Sequence, residues 1–437
     1  MGIKVAKFGG SSVADAIQFK KTKEIIESDK DRKYVIVSAP GKRFEGDTKI
    51  TDILYLCKAH IENNLPYEQL FQVVVDRYMS FKVNLEIEID LIKEFETIEE
   101  NLKNGIGKAY LASRGEYLNA VLMAAYLGYD LVDTAAFIKF DEGDNLLLEE
   151  TNEALKKELK KHKRAVMPGF YGGNDNGEIV TFSRGGSDVT GALIARAIDA
   201  DVYENWTDVS GFLMADPRII DNPEPISSIS YKELRELSYM GATVLHEDAI
   251  YPAKLGNVPI NIRNTNEPGS KGTFITEERR GDDNRIITGI AGSKDFTVIA
   301  IYKNLMATEK GFIRRILNIL EDNDVNLEHI PSGIDSVSLV ISNEELKGKL
   351  GKVIEDIENQ VKPDSIEVFP EMALIATVGL GMSQRTGTSA KLFTALAENK
   401  VNIRMIDQGS SELNIIVGVE NSQFEEAIKA IYLAFVG

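Results

Sequence analysis

The sequence contains few of the residues that characterise disulfide-rich, metal-binding or membrane proteins. Among its 437 residues Cys57 is the one cysteine, which excludes an internal disulfide and fits a reducing cytoplasm. The four histidines are scattered, so we predict no metal site built from His and Cys ligands. No apolar run is long enough to span a bilayer, and the first residues lack the features of a signal peptide. We therefore expect a cytoplasmic protein without membrane contact.

Basic residues are also in short supply. The chain has 50 lysines and arginines against 68 aspartates and glutamates, which gives a formal net charge of −18. Such a surface repels nucleic acid and anionic membranes, so we expect neither as a partner. It also repels small anions, so an anion-binding site in this chain must be locally positive. The length and a hydrophobic content of 43% predict two to four domains.

A glycine-rich turn follows directly on an apolar run at the N-terminus. Lys7 and Phe8 end this run, Gly9 and Gly10 follow, and a helix is predicted from residue 14. A strand, a glycine turn and a helix start together direct backbone N–H groups at an anion. Lys7 adds a mobile positive charge at the strand end. The alternative is a plain turn with a solvated lysine, because short glycine motifs are common.

A second glycine turn, SRGGSD at residues 183–188, opens a helix predicted over 189–198. Arg184 can bind a carboxylate or a phosphate through two parallel hydrogen bonds. Asp188 at the helix start either caps the helix or aligns cations around a transferring phosphate. Two glycine turns with opposite charges favour a binding site more than either does alone.

Further polar residues lie at the ends of predicted elements. Ser38 ends a buried-type strand, and Thr51 is a candidate helix cap, the usual role of hydroxyls at such positions. Glu116 precedes a helix predicted over 117–127, where a carboxylate either favours the helix dipole or holds a substrate ammonium. A strand over 200–208 ends in Thr207 and Asp208, and Arg218 emerges from a turn fixed by Pro217. This last arrangement suits contact with a nucleotide.

The order of elements predicts the fold class. Strands alternate with helices up to residue 263, which indicates an α/β fold with a mainly parallel sheet sandwiched by helices. Residues 66–104 are rich in Glu and Lys and predict a helical insertion with solvated faces. The polar, glycine-rich stretch 264–284 is the best candidate for a linker.

An internal repeat follows this stretch. Residues 311–333 recur in identical or similar form at 387–409, at a constant offset of 76 residues. Each copy predicts a strand, a glycine loop, a helix and two further strands, that is, a small α+β module. One copy cannot cover its own sheet, so we expect the two to pair. The repeat is either duplicated structural material or a ligand site, since each glycine loop offers backbone N–H groups to a small amino acid.

Several motifs together resemble one known family. KFGGSSV, SRGE, SRGGSD, TDVSGFLMADPR and GATVLHE occur in this order, followed by VNI and QGSSELNI in the repeat. With them the chain resembles the aspartate kinases (aspartokinases), amino-acid kinases with two tandem ACT modules. The resemblance covers nearly the whole chain and is weakest in the helical insertion. It implies a catalytic domain at 1–284 and ferredoxin-like ACT modules at 285–370 and 371–437.

The resemblance also implies an activity. ATP with Mg²⁺ would phosphorylate the side-chain carboxylate of L-aspartate, and the product, 4-phospho-L-aspartate, would enter lysine, threonine and methionine synthesis. By position, Lys7 would stabilise the charge on the phosphoryl group and Asp188 would orient the lysine. Glu116 would bind the aspartate ammonium and Arg184 its α-carboxylate. The other implied contacts are Ser38 and Thr51 with the substrate, and Lys7, Phe8, Gly9, Gly10, Thr207, Asp208, Leu213, Arg218, Thr243 and Val244 with the nucleotide.

The family pattern is not fully kept. Leu213 stands where a tyrosine is usual in the nucleotide loop. GATVLHE replaces the usual GAKVLHP, so Thr243 occupies the place of a phosphate-binding lysine and Glu247 that of a proline. The missing cation should weaken ATP binding or leave more of the work to Mg²⁺ and Arg218. Lys254, about two helical turns further on, is a candidate substitute.

The tandem repeat would be the sensor for feedback control. In related enzymes lysine, threonine or both bind at an interface of ACT modules, and we favour lysine here. Glu309 would pair with the amino group of the effector, and Asn326 would hydrogen-bond it. The matching positions are Met306, Glu309, Gly311, Phe312, Asn326, Leu327 and Ser332. Pairing of ACT modules between chains implies a homodimer or a dimer of dimers.

Two alternatives remain open. A kinase for another carboxylate or carbamate substrate is one, although such relatives generally lack the ACT pair. A catalytically inactive amino-acid sensor on a kinase scaffold is the other. Thr243 slightly favours the sensor, whereas Lys7, Arg184 and Asp188 oppose it.

Overall fold

The chain folds into two compact units. A computed structural model describes residues 2–183, 185–242, 245, 247–278 and 285–437. One unit comprises Met1–Phe212, Pro225–Leu234 and Val244–Gly281, and the other comprises Leu213–Glu224, Arg235–Thr243 and Asp282–Gly437. Two short segments before residue 244 thus cluster with the C-terminal part of the chain. The domain limits at 284 and 370 stay predictions.

Strands and helices are distributed along the whole chain. Within the described residues the strands are β1 (Lys4–Phe8), β2 (Arg32–Val37), β3 (Asp130–Leu131), β4 (Lys139–Phe140), β5 (Ala165–Pro168), β6 (Tyr171–Asn174), β7 (Ile179–Thr181), β8 (Val202–Thr207), β9 (Ser228–Ser230), β10 (Ile260–Asn264), β11 (Thr273–Thr276), β12 (Gly289–Tyr302), β13 (Ser336–Ser342), β14 (Ser365–Val378), β15 (Met405–Asp407) and β16 (Asn414–Glu420). The helices are α1 (Ala16–Glu27), α2 (Ile50–Glu62), α3 (Glu68–Asn84), α4 (Ile92–Lys103), α5 (Lys108–Leu127), α6 (Leu148–Leu159), α7 (Gly186–Ala197), α8 (Tyr231–Tyr239), α9 (Glu247–Leu255), α10 (Phe312–Asp322), α11 (Leu350–Val361), α12 (Thr388–Glu398) and α13 (Phe424–Val436).

An eight-stranded sheet forms the centre of the first unit. Its order is β3-β5-β2-β1-β8-β10-β11-β9. Neighbouring strands run parallel, except that β10 and β11 are antiparallel. The central strands β1 and β2 are almost fully buried, as expected for apolar strands that are covered on both faces. The predicted α/β fold with a mainly parallel sheet flanked by helices is confirmed. A smaller sheet, β4-β6-β7, includes an antiparallel hairpin of β6 and β7 whose turn contains Asn176 and Gly177.

The predicted helical insertion at 66–104 consists of α3 and α4. Only part of its surface is solvated, because one face joins the hydrophobic core through Phe71, Val74, Tyr78, Phe81 and Phe95. The ring of Phe81 stacks on that of Phe19, with 5.0 Å between the ring centroids. Apolar residues spaced three or four apart bring this face inward, as in an amphipathic helix.

The predicted linker at 264–284 needs correction. Its first part contains β11, which pairs with β10 on one side and β9 on the other. Thr273 in this strand is fully buried. Residues 265–272 connect β10 to β11, so the polar composition indicated a loop but not a domain boundary. Residues 279–284 lie outside the described residues.

The second unit is built on one five-stranded sheet. Its order is β13-β12-β14-β16-β15. Residues 289–293 of β12 pair with 374–378 of β14, and residues 296–302 pair with both β13 and the first half of β14. The two copies of the repeat therefore pair through shared strands, as expected. β12 and β14 are each 14 residues long because each crosses from one copy to the other.

Helices α10 and α11 belong to the first copy of the repeat, and α12 and α13 to the second. The repeat buries equivalent positions of its helices, Ile316 and Leu320 in α10 and Leu392 and Leu396 in α12. Leu317 of α10 is 41% exposed. None of the described helices combines the length and apolar character that a bilayer span requires.

Candidate active site

Lys7 and Asp188 form a buried ion pair at the centre of the first unit. Lys7 lies on β1, and Asp188 lies in the first turn of α7, which packs on β1 and β8. The Lys7 Nζ atom is 2.5 Å from Asp188 Oδ1, and the two side chains are 9% and 17% exposed. A lysine that is held at a strand end beside a helix N-terminus creates the locally positive site that the acidic chain requires.

Asn205 also contacts both members of this pair. It lies on β8 directly opposite Lys7, and it is 3% exposed. Its Oδ1 atom accepts from Lys7 Nζ at 3.4 Å, and its Nδ2 atom donates to Asp188 Oδ1 at 2.9 Å. Our sequence analysis missed Asn205. The available signal is a pair of polar residues, Glu204 and Asn205, inside a strand that is otherwise mostly apolar.

The glycines of the first turn have a packing role. A Cβ on Gly10 would lie 3.0 Å from the carbonyl oxygen of Ala39, and one on Gly41 would lie 2.7 Å from the carbonyl carbon of Gly10. The two loops therefore cross at a distance that side chains do not allow. Gly41 N–H donates to the Gly10 carbonyl at 2.9 Å, which fixes this crossing.

Two predicted nucleotide contacts in this turn need correction. The Gly9 N–H donates to the carbonyl of Trp206 at 2.9 Å, so in this conformation it is not directed at a phosphate. Phe8 is fully buried and stacks on Trp206, with 5.9 Å between the ring centroids. Its side chain therefore offers no surface to a nucleotide, although its position in the strand fixes the turn that follows.

Glu116 is a buried carboxyl group in the middle of α5. We predicted it at a helix start, but α5 begins at Lys108. It is 7% exposed, its Oε2 atom lacks a hydrogen-bond partner, and no ion pair links it to any residue that the structure describes. Burial raises the pKa of Glu116 to about 8, although a hydrogen bond from the backbone of Ala39 favours the charged form. An unpaired buried carboxyl is suited to receive a cation.

Three of the residues predicted to contact a substrate, namely Ser38, Thr51 and Glu116, lie near Ala39. A Cβ built on Gly115, the neighbour of Glu116, would be 2.8 Å from Ala39 Cβ and 3.7 Å from Thr51 Oγ1. Ser38 precedes Ala39, and its carbonyl accepts from Asn119 Nδ2 at 2.7 Å. Thr51 is not a helix cap, because α2 starts at Ile50 without a side-chain cap.

Asn119 is a second residue that our sequence analysis missed. It lies on α5 one turn after Glu116, is fully buried, and leaves its Oδ1 atom without a partner. The structure therefore brings Ser38, Thr51 and Glu116 to one place and adds an amide to them. The roles of these residues stay predictions.

The loop between β2 and α2 is held by Asp47. Arg77 of α3 donates to both carboxylate oxygens of Asp47, and Arg43 binds the same group at 2.8 Å. These arginines hold the pKa of Asp47 well below its usual range. Arg77 thus links the helical insertion to the loop beside Ser38, a link that the sequence did not reveal.

The residues predicted to bind the nucleotide are distributed over both units. Thr207 ends β8 and donates to Asp208 at 3.1 Å, and Asp208 is exposed. Leu213 and Arg218 belong to the second unit, where Arg218 bonds Asp216 at 2.6 Å and is 87% exposed. Arg184, Thr243 and Val244 lie outside the described residues.

Lys254, the candidate substitute for the missing lysine, lies over the ring of Tyr231 at 5.5 Å from its centroid. No contact joins it to Lys7 or Asp188 within the part of the chain that the structure describes. Its substitution for the phosphate-binding lysine stays a prediction.

A buried charge cluster anchors β8 beside the candidate site. Glu204 is 2% exposed, and its carboxylate binds Arg32 at 2.6 Å and accepts from the indole of Trp206 at 3.0 Å. Arg263 of β10 lies 3.8 Å from the same carboxylate and over the Trp206 ring. The charge of Glu204 is therefore neutralised and hydrogen-bonded, as a buried carboxylate requires.

The predicted effector residues are largely occupied by contacts within the second unit. Glu309 forms ion pairs with Arg315 and, at 3.3 Å, with Lys303, so it is not a free acceptor for an amino group. The backbone N–H of Asn326 donates to Glu345 at 3.2 Å. The remaining positions have structural roles: Met306 and Phe312 are buried, Gly311 precedes α10 with φ 78°, Leu327 packs on the core, and Ser332 bridges to Val337.

Comparison with known proteins identifies the class of this site. The model of the amino acid kinase family matches residues 2–264, and the model of the ACT domain matches residues 375–435. Aspartokinase 3 of Bacillus subtilis is 37% identical to this chain over 450 residues, which cover 99% of this chain and 98% of the relative.

Solved structures agree with this result. The aspartate kinase of Clostridium acetobutylicum, described as an allosteric enzyme, is 55% identical with a TM-score of 0.93, and each chain is covered completely. Aspartokinase III of Escherichia coli shares the fold at 23% identity, with a TM-score of 0.74 and complete coverage of both chains. The chain belongs to the amino acid kinase family and, within it, to the aspartokinases. It is a kinase that carries an ACT domain in the C-terminal part of the chain.

Proposed function

We propose that this chain transfers the γ-phosphoryl group of ATP to the side-chain carboxylate of L-aspartate. The proposal rests on two charged groups that lie near the place where the loop at Gly10 crosses the loop at Ala39 and Gly41. The Lys7–Asp188 pair lies beside the turn that leads to Gly10, and the unpaired carboxyl of Glu116 contacts Ala39. A cation for the phosphoryl group and an anion for a substrate ammonium thus border the same crossing of loops.

Each residue has a distinct task in this reaction. Direct transfer of a phosphoryl group from a phosphate oxygen of ATP to a carboxylate oxygen of aspartate needs positioning and positive charge more than covalent catalysis. Lys7 stabilises the charge of the transferring group, and Asp188 orients Lys7. Glu116 binds the ammonium of aspartate, and Arg184 binds its α-carboxylate. Ser38 and Thr51 complete the substrate contacts, and Gly10, Thr207, Asp208, Leu213, Arg218, Thr243 and Val244 serve the nucleotide.

The donor set fits a magnesium ion that arrives with the nucleotide. Mg²⁺ is usually held by one or two carboxylates together with substrate phosphates and water. The described residues contain no group of three His, Cys, Asp or Glu side chains that could hold a metal by themselves. Such an ion would neutralise phosphate charge. Aspartokinase III of E. coli, which shares the fold, has been crystallised with aspartate and ADP.

We propose lysine as the feedback effector and the first ACT copy as its site. Aspartokinase III of E. coli has been crystallised with lysine in a T-state, and this supports the choice. An amino group of lysine would replace Lys303 or Arg315 at the carboxylate of Glu309. An effector inhibits only by binding one of two arrangements more tightly. We further propose a homodimer or dimer of dimers through the ACT modules, and a cytoplasmic role at the start of lysine, threonine and methionine synthesis.

A hydroxamate assay tests the proposed reaction. The chain is incubated with ATP, Mg²⁺ and either aspartate, glutamate or acetylglutamate, and the acyl phosphate is trapped with hydroxylamine. We expect product with aspartate and little with the other two. Product with another acid would favour a kinase for that substrate. No product with any of them would favour the inactive amino-acid sensor. The variant Lys7→Met serves as the control without the catalytic cation.

A further inference from the structure

Asn205 is the polar residue of β8 that faces the Lys7–Asp188 ion pair. Its Cα lies opposite that of Lys7 in the parallel register of β1 and β8, so both side chains leave the same face of the sheet. Helix α7 packs on both strands and places Asp188 over them. Asn205 is 3% exposed, so its amide has to find its partners among protein groups.

The two charged partners determine how the amide is oriented. The carbonyl oxygen of Asn205 faces the ammonium of Lys7, and the NH₂ group faces the carboxylate of Asp188. The flipped amide would place a donor against the ammonium and an acceptor against the carboxylate. Both contacts would be repulsive, so the charges of Lys7 and Asp188 allow only the observed orientation.

This arrangement restricts the direction of the lysine ammonium. An ammonium group carries three N–H donors. One points at Asp188 Oδ1 at 2.5 Å, and a second points at Asn205 Oδ1 at 3.4 Å. With Asp188 alone, the ammonium could rotate about that single contact. With Asn205 as a second contact, the direction of the third N–H is fixed.

We propose that Asn205 is a positioning residue for phosphoryl transfer, which holds Lys7 against Asp188 so that the third N–H of the ammonium points at the transferring group. The inference rests on the proposed function, because it assumes that Lys7 acts on a phosphoryl group. Asn205 itself does not touch the reacting atoms. It acts through Lys7 and Asp188, and it does so without adding a second negative charge beside Asp188.

The neutrality of the amide provides a sharp test. A protonated carboxyl has the same shape as the amide, with an O–H that can donate to Asp188 and a C=O that can accept from Lys7. An ionised carboxyl at this place would instead oppose the charge of Asp188 and bind Lys7 as an additional anion. The variant Asn205→Asp should therefore work at low pH and fail at high pH.

The experiment compares three variants with the wild-type chain. Asn205→Leu removes both hydrogen bonds at similar volume, and Asn205→Asp makes them depend on pH. Asn261→Ala is the matched control, because Asn261 is an equally buried asparagine (4% exposed) on the neighbouring strand β10. Turnover with ATP and aspartate is measured between pH 6 and pH 8.5, with KM for both substrates and the thermal midpoint of every variant.

We expect Asn205→Leu to lower kcat by about 10²-fold, since misplacing a reacting group by about 1 Å has an effect of this order. KM for ATP and aspartate should change less than about threefold, because neither substrate touches Asn205. Burial and the neighbouring Asp188 carboxylate raise the pKa of the introduced carboxyl, against the opposing effect of Lys7. The ratio of wild-type to Asn205→Asp kcat should therefore become smaller as pH falls from 8.5 to 6. Asn261→Ala should keep its kcat even if its thermal midpoint falls.

A purely structural role would give a different result. If kcat of the Asn205 variants falls only as much as that of Asn261→Ala, or if the ratio of wild-type to Asn205→Asp kcat is the same at all pH values, the inference is overturned. Poor folding of Asn205→Leu does not remove the test, because the pH comparison is made within Asn205→Asp. Absence of aspartate phosphorylation in the wild type would instead overturn the proposed function, and this inference with it.

Discussion

Replacing Glu116 with glutamine should stabilise the folded protein and abolish its use of aspartate. The carboxyl is buried without an ion pair to any described residue, and its pKa is raised from 4.5 to about 8. Between these two values the folded state binds more protons than the unfolded state. Stability therefore falls as pH rises through this window, and a neutral amide in the same place avoids the loss.

The size of the effect follows from the shift in pKa. At pH 7 the carboxyl is ionised in the unfolded chain and largely protonated in the folded one. The distance from 4.5 to 7 corresponds to about 3 kcal/mol at 1.36 kcal/mol per unit. For a unit of this size that is roughly 6–12 °C in the midpoint of thermal unfolding. At pH 4.5 the difference between Glu116→Gln and the wild type should be small.

Thermal unfolding at pH 5, 7 and 8 measures the difference directly. Glu204→Gln is the control, since Glu204 is equally buried but is paired with Arg32. Removing one partner of a buried ion pair costs about 3–5 kcal/mol, so this variant should be less stable than the wild type at neutral pH. Two buried glutamates should thus respond to the same substitution with opposite sign.

The same carboxyl predicts how aspartate binding depends on pH. Only the ionised form attracts the substrate ammonium, and its fraction falls about tenfold for each unit below a pKa of about 8. KM for aspartate in the wild type should therefore rise as pH falls from 8 to 6, while KM for ATP stays nearly constant. A stability difference for Glu116→Gln that is the same at pH 5 and pH 8 would refute the reasoning for both measurements.

Three further predictions concern the remaining site residues. Lys7→Met should lower kcat by on the order of 10²-fold or more with a folded, nucleotide-binding protein, and steady-state kinetics with a nucleotide titration would show it. Arg184→Ala should raise KM for aspartate far more than KM for ATP, and equal changes would mean that its partner is not the α-carboxylate. Glu309→Gln should weaken inhibition by lysine about tenfold at unchanged basal kcat, and an unchanged inhibition curve would place the effector elsewhere.

Local patterns were sufficient to predict most of the fold. The apolar run of residues 34–37 in β2 is continuous because this strand is buried on both faces, so it is visible without any knowledge of its neighbours. The repeat is visible because its two copies have kept their spacing. Lys7 and Asp188 each stand at a glycine turn next to a helix start, and the family resemblance implied that they act together.

The errors at element ends have a common physical cause. We started α5 at residue 117, but the helix begins at Lys108 even though Ser113 and Gly115 are weak helix formers. Burial of its central turns outweighs their low propensity. The β-branched and aromatic residues at 273–276 form β11, although the polar stretch before them resembles a linker.

The missed site residues depend on contacts over long sequence distances. Asn205 meets Lys7 across 198 residues, and Arg77 meets Asp47 across 30 residues. Such pairs follow from strand register and helix packing, which a single sequence does not determine. Another long-range hydrogen bond joins the Gly9 N–H to the Trp206 carbonyl, so in this conformation the N–H is not available to a phosphate.

The shared strands of the C-terminal sheet have a consequence for how this protein can be engineered. Because β12 and β14 each serve both copies of the repeat, neither copy can be excised or exchanged as a cassette with a single pair of junctions. A graft of the second copy from another protein would have to bring residues 289–293 along with the segment from 374 onward. In engineering, the two copies of the repeat are therefore best replaced together.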